Sequence, residues 1–582
     1  MILGLTLSHD ASAAVLDKNG VVIFAISEER LSRKKNHVGI PVLAITHLMS
    51  SLPQVSQLQK VVIGSHSLMD HDLAVRMVVS TMQNPSNPAS TIHQPFPGFV
   101  SKNLVGTGHE IIEKFIASLL DKVCDVRGVE FVWVNHHDSH LGCALGASEK
   151  SKALLFSFDG SGDGESAAVA MFASRKSHYT TLARVPAADS LGNLYSAVTK
   201  RYNFKVSQHE GKITGLAAYG SFSGAYDVLK SHIEVKDGVP EILYIKQLKK
   251  RLSVRALRQM GLCKKSVISL DEIAQLASSK TVNYPDLAFA VQRVLEESIL
   301  EVVNFWISKT EIFDVSLAGG VFANVKLNQR ISDLEVVETV NIFPNMGDGG
   351  ISVGGVWSHL LSLGELSDLP LYQNMYLSPP ESEDSTSLPE YLDVLEWTED
   401  ATHAVQIAKD ISDGKLVAVH QGSMEFGPRA LGNRSLILDA RNREIIDRTN
   451  RRLNRTEFMP FAPIVLEEDF SDYFETSNRS FQPFEYMTMT CDVLEGVRKT
   501  VPAVTHIDGT ARPQIVSKIS NPFLYQILSA YKELTRCSVL VNTSLNMHEE
   551  PINNSLSDSI RALKLGGVDV IHTRLKSISL KS

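Results

Sequence analysis

The sequence predicts two folded parts in one chain, a duplicated α/β domain followed by a smaller α+β domain. Three observations carry that reading. Residues 2–29 are echoed by residues 153–186, a glycine pair joins strand to helix near residue 319, and a polar, proline-bearing break at 379–387 changes the patterning. At 582 residues the chain is also too long for one hydrophobic core.

The echo comes first. One copy reads ILGLTLS, HDASAAVLD, KNG and VVIFAISEE; the other reads ALLFSFD, GSGDGESAAVAMF, a polar turn and YTTLARVP. Ser12-Ala13-Ala14-Val15 matches Ser166-Ala167-Ala168-Val169, each beyond an acidic turn between two strands. Small residues there allow close backbone approach. Two such copies suggest the duplicated nucleotide-binding fold of actin, sugar kinases and heat-shock ATPases (ASKHA), whose acidic turns converge on phosphates. Downstream, Pro285-Asp286 opens a long helix with Leu287, Val291, Val294 and Leu295 at helical spacing. A strand at 315–317 then meets Gly319-Gly320 and a helical stretch from Ala323. That turn is either a tight connection or a phosphate or ribose cradle, because it leaves N–H groups at a positive helix end. The predicted boundaries are a first domain at 1–378, a linker at 379–395 and a second domain at 396–582, with a strand near 416–419 and a basic helix around 447–454.

Composition excludes several classes. Hydrophobic residues make up 43% and charged residues 21%, and no apolar run reaches the length of a membrane span. No basic segment precedes an apolar one at the start, so no signal peptide is expected. The five cysteines form no CxxC pair, which argues for a reducing, cytoplasmic setting and against a thiolate zinc site. A net charge of −8 exerts no global pull on nucleic acid.

His136 and His140, in NHHDSH, stand four apart and share one helical face. Such a pair is either a core pair or half of a metal site. With Asp159 at a strand end and Asp348 in the turn NMGDGG, it makes an N/O donor set suited to iron(II), manganese(II) or zinc. His137 points elsewhere.

The blocks HDASAA, HHDSH, SFDGSGDG, HEGKITGLAAYG, LAGGVFANVKLN, NMGDGGIS, EFGPRALGNRS, MPFAP, HIDGTARPQ and NTSLN follow one another in order. Together they resemble the O-carbamoyltransferase family of nodulation-factor and antibiotic biosynthesis, the NodU and CmcH type, from Met1 to about Val568. The resemblance implies an actin-like N-terminal domain and a C-terminal domain similar to the YrdC type, which forms carbamoyl adenylate. It implies His136, His140, Asp159 and Asp348 as ligands of an iron-type metal.

Carbamoyl phosphate is a sluggish acyl donor, and exchanging its phosphate for AMP from ATP (with Mg2+) gives a better leaving group. Holding two anions together calls for arginine forks. Arg429, Arg434 and Arg512 are the candidates, with Asn433, Asn542 and Ser544 as neutral donors. Where the family carries a lysine before its PFAP block, this chain has none, leaving Arg452 or Arg455. In the first domain, Gly160, Gly162 and Asp163, with Gly319, Gly320 and Asn324, are expected around the nucleotide. Lys212 would neutralise departing AMP. His9, beside Asp10, is the candidate base for the acceptor hydroxyl. Relatives carry an acidic residue shortly before this histidine; here stands Thr6-Leu7-Ser8. A sugar kinase on the same fold is the alternative, although it would have no use for a second anion site.

The acceptor is expected to be a sugar-like or natural-product hydroxyl. The alternative is a hydroxymethylated base in DNA, such as 5-hydroxymethylcytosine, approached through the basic segment 246–265 and the cluster Arg30, Arg33, Lys34 and Lys35.

Overall fold

The computed structural model describes residues 1–52, 57–65, 69–83, 106–174, 178–242, 269–366, 371–381, 388–398, 401–454 and 461–581. The sequence echo becomes two sheets of identical plan. In the first, the strands lie in the order Val22–Ser27, Ser12–Leu16, Ile2–Thr6, Lys60–Ile63, Glu130–Trp133. In the second the order is Thr180–Pro186, Glu165–Phe172, Ala153–Gly162, Asp314–Ala318, Thr339–Ile342. Both run third, second, first, fourth, fifth, with antiparallel pairing on the hairpin side and parallel pairing on the other. The parallel pairs require long crossovers, which is why each fourth strand lies far along the chain from its neighbour. The matched Ser-Ala-Ala-Val runs are the second strand of each sheet, fully buried where both faces are covered.

After its fifth strand, each half sends a helix across to the sheet of the other half. His136–Ala147 packs on the second sheet and Ile351–Leu363 on the first. These helices cross with their backbones almost touching. A Cβ on Gly142 would stand 2.0 Å from Gly354 O, and one on Gly354 2.2 Å from Ser139 O. The crossing brings residues 136–140 and the turn at 348 together.

The C-terminal domain is an eight-stranded mixed sheet centred on Val417–His420, Arg434–Asp439 and Val539–Ser544. Leu392–Glu396 pairs with Lys576–Leu580 at its edge, so the expected linker of 379–395 is too long at its C-terminal end. Residues 382–387 of that linker lie outside the described residues.

The two domains are fastened by polar mimicry as well as apolar packing. Thr339–Ile342 is an edge strand, and side-chain amides complete its ladder. Asn478 accepts from Val340 N and donates to Val340 O, and Gln482 does the same at Ile342. An open edge is thereby satisfied by two buried residues of the other domain.

Candidate functional site

Asn135 caps the helix His136–Ala147, accepting from the His137 and Asp138 amides, which sets His136 at its first position. One turn on, His140 shares its face. Asp159 comes from the first strand of the second sheet and Asp348 from the turn before Ile351–Leu363. His136 Nε2 lies 3.4 Å from Asp159 Oδ2 and 3.7 Å from Asp348 Oδ1, and His140 Nε2 lies 3.4 Å from that same Oδ1. The four donor atoms fall within 4.8 Å of one another, and all four residues are buried.

The electrostatics pair the histidines of the cluster with its carboxylates. Burial opposes charge on His136, yet Asp348 and Asp159 outweigh it and lift its pKa to about 9. Burial likewise opposes charge on Asp159 and Asp348, yet the histidines hold both carboxyls below their usual range. His140 Nδ1 and Asp348 Oδ1 have no hydrogen-bond partner among the described residues. Buried polar atoms left so are unfavourable, and a divalent ion bound by imidazole and carboxylate fits this donor set. His137 turns away as expected. Its Nδ1 meets Ser157 at 2.7 Å, and burial pushes its pKa down to about 3.

A cavity of about 600 Å3 opens from this cluster. His9 stands in its wall, Nδ1 3.3 Å from Asp348 Oδ2, and that carboxylate raises its pKa. Asp10, in the left-handed region at φ 59°, accepts from Asn36, and burial raises its carboxyl to about 6. Ser8 donates to Asp348 Oδ2 at 2.6 Å, which ties the residue before His9 to the cluster. Gly160, Gly320 and Asn324 also line the cavity. Gly320 N–H donates to Asp159 Oδ1 at 2.8 Å, and Asn324 caps the helix Val325–Ser332 while bonding Gln292. Gly319, at φ 101°, presses on the Phe158 backbone and makes the turn possible.

Several expectations need correction. Gly162 and Asp163 sit behind the cluster: a Cβ on Gly162 would strike the His136 ring at 2.2 Å, and the Asp163 carboxylate accepts from His136 N. They buttress the histidine and do not line the cavity. Lys212 places its ammonium 5.6 Å from the Phe204 ring centre, while Glu210, Gly211 and Thr214 line the wall. Arg434 is buried, its guanidinium donating to the carbonyls of Gln421, Asn433, Gly422 and Asn554. It braces a loop and is no anion fork. The Asn433 and Asn542 amides are likewise bonded within the fold, to Ser423 O and to Ala430 O respectively. Arg429 and Ser544 do face a cavity, but it is the one holding the metal-type cluster. Arg512 lines a second cavity of about 520 Å3 with Phe222, Phe289 and Lys326, and Thr214 stands in the wall of both. Arg455 and the segment 246–265 lie outside the described residues, and Arg452 pairs with Asp569. Arg30 and Arg33 reach the other domain, so they are not a free basic surface.

Sequence reasoning missed Asn36, Asn546 and Glu550 in the wall. Asn546 lies within the block NTSLN and was within reach; the other two carried no signal.

Fold and site thus define a two-domain protein in which a duplicated α/β unit carries a buried His/Asp cluster and the second domain completes its cavity. The family models "Carbamoyltransferase N-terminus" and "Carbamoyltransferase C-terminus" match residues 1–356 and 408–578. The chain is 30% identical to nodulation protein NolNO of Sinorhizobium fredii, over 95% of this chain and 76% of that one. It is 32% identical to nodulation protein U of Azorhizobium caulinodans over 40% and 39%. HypF of T. kodakarensis is a remote structural neighbour, with TM-score 0.33 and 14% identity over 64% of this chain and 48% of that one. The chain belongs to the carbamoyltransferase family and is a transferase.

Proposed function

We propose that this chain is an ATP-dependent O-carbamoyltransferase: carbamoyl phosphate and ATP give carbamoyl adenylate and pyrophosphate, and the carbamoyl group then passes to an acceptor hydroxyl. One observation carries the reading. Arg429, from the C-terminal block EFGPRALGNRS, shares a cavity with the His/Asp cluster of the N-terminal domain. An anionic intermediate made beside the C-terminal arginines would therefore have a route to the cluster without leaving the protein.

His136, His140, Asp159 and Asp348 would hold the metal, with iron(II) expected and manganese(II) or zinc compatible. Such an ion, when bound, supplies Lewis-acid polarisation of the carbamoyl carbonyl. The remaining work belongs to side chains. His9 directs Nδ1 at Asp348, which leaves Nε2 as the lone pair to receive the acceptor proton. The hydroxyl oxygen bonds to the carbamoyl carbon, the bond to the AMP oxygen breaks, and AMP leaves with the electron pair. Arg429 counters that departing charge, the role expected of Lys212. A small hydroxyl-bearing acceptor remains our preferred reading, because Arg30 and Arg33 are engaged between the domains and offer no track for a polyanion.

The test is direct. Purified protein with ATP, Mg2+ and carbamoyl phosphate should release pyrophosphate; ADP release instead would select the sugar-kinase reading. Candidate sugars and hydroxymethylcytosine DNA are then screened together for a carbamoyl mass shift.

A further inference from the structure

Residues of both domains wall the transfer cavity, and two arginines of one domain hold the other domain's part of that wall. The short helix Glu28–Ser32 follows the third strand of the first sheet and presents Arg30, only 4% exposed. Its Nη2 donates to Gly427 O at 2.7 Å, one residue before the Pro428-Arg429 turn. Arg33, in the left-handed region at φ 57°, ends the same helix. Its Nη1 donates to Ile552 O at 2.7 Å, and its Nη2 to Pro551 O at 3.0 Å and Asn553 Oδ1 at 3.1 Å. Gly427, Pro551 and Ile552, whose carbonyls are gripped, are themselves wall residues. The grip also reaches back to the reacting side. Glu29 accepts from Asn36 N, Asn36 donates to Asp10, and Asp10 adjoins His9.

We propose that Arg30 and Arg33 form a clasp that closes the transfer cavity over the activated carbamoyl group, so that carbamoyl adenylate is retained until a hydroxyl arrives. The proposal rests on the two-step reaction above. The Arg33 guanidinium suits this task because its planar fork holds the Ile552 and Pro551 carbonyls at once, with geometry that lysine cannot reproduce. Retention matters chemically, since closed sites prevent hydrolysis of reactive intermediates. Outside the protein, a water oxygen bonds to the carbamoyl carbon and gives its proton to solvent, the bond to the AMP oxygen breaks, and AMP leaves with the electron pair, wasting the ATP. Arg30 and Arg33 are positioning residues and take no part in bond making.

The experiment omits the acceptor. Full-length protein receives ATP, Mg2+ and carbon-14 carbamoyl phosphate, and pyrophosphate and protein-retained label are followed after rapid desalting. The wild type should give a burst of pyrophosphate, then stall with label retained. Arg33→Ala should release pyrophosphate continuously, severalfold beyond the burst, and lose the label, while Arg33→Lys should restore the stall in part. Arg30→Lys, which alters the grip on Gly427, repeats the test from the other loop. A wild type that never stalls, or an Arg33→Ala that stalls and retains label, would overturn the clasp while leaving the two-step reaction standing. An Arg33→Ala with no pyrophosphate release beside an active wild type also overturns it, since the residue would then be building the first site. Absence of pyrophosphate from every protein would remove the two-step reaction and the clasp with it.

Discussion

His136 and Arg434 show what a single residue's surroundings decide. Both were marked by residue type and spacing, yet His136 meets two carboxylates and Arg434 meets four carbonyls. His140→Ala should therefore abolish bound metal, read by elemental analysis, and stop transfer while sparing pyrophosphate release. Loss of both activities together would contradict this division of labour. Arg434→Met should leave buried carbonyls unpaired and destabilise the protein by about 3 kcal/mol, seen as a lowered Tm. Asp410 supplies a pH dependence. Burial would raise its carboxyl, but His572 and Lys415 overrule burial and hold it at about 2. A depressed carboxyl stabilises above its unfolded value, near 4, and that contribution fades as pH falls toward 2. Asp410→Asn should thus lower Tm at neutral pH and flatten its fall across that acid window.

At the scale of elements, the glycine-mediated helix crossing does most to place the site. Gly142 and Gly354 permit backbone contact that any side chain would block. Gly354→Ala should cost about 1–3 kcal/mol through overpacking, measured by denaturant unfolding. Metal affinity should fall as well, because the displaced helix carries His136 and His140; unchanged affinity would separate packing from the site. Neither glycine stood out in the sequence, since each lies in an ordinary apolar helix and its partner is more than two hundred residues away. The capping amides Asn478 and Gln482 were equally silent, because their partners are backbone atoms of a remote strand.

In the whole molecule, the domains jointly enclose the chemistry. The arginine blocks were expected to furnish one anion pocket apart from the metal. Instead Arg429 joins the metal-type cavity and Arg512 the neighbouring one, with Thr214 standing between. Arg429→Ala is therefore expected to impair more than adenylate formation. If carbamoyl adenylate is supplied ready-made, the variant should still transfer at least about tenfold more slowly, the loss of one charged stabilising contact. Full transfer by Arg429→Ala from supplied adenylate would return the residue to the first step alone.

Local pattern alone determined the duplication and the paired acidic turns, and it left the His136/His140 pair open between a core pair and half of a metal site. Strand alternation, helical spacing and turn chemistry act over a few residues and are written where they act. Only the tertiary structure decided which arginines face a cavity, why Asp163 serves His136, and how Arg30 and Arg33 bind the domains. Those outcomes depend on backbone carbonyls and close approaches between distant segments, and a carbonyl belongs to every residue and so leaves no mark in a sequence.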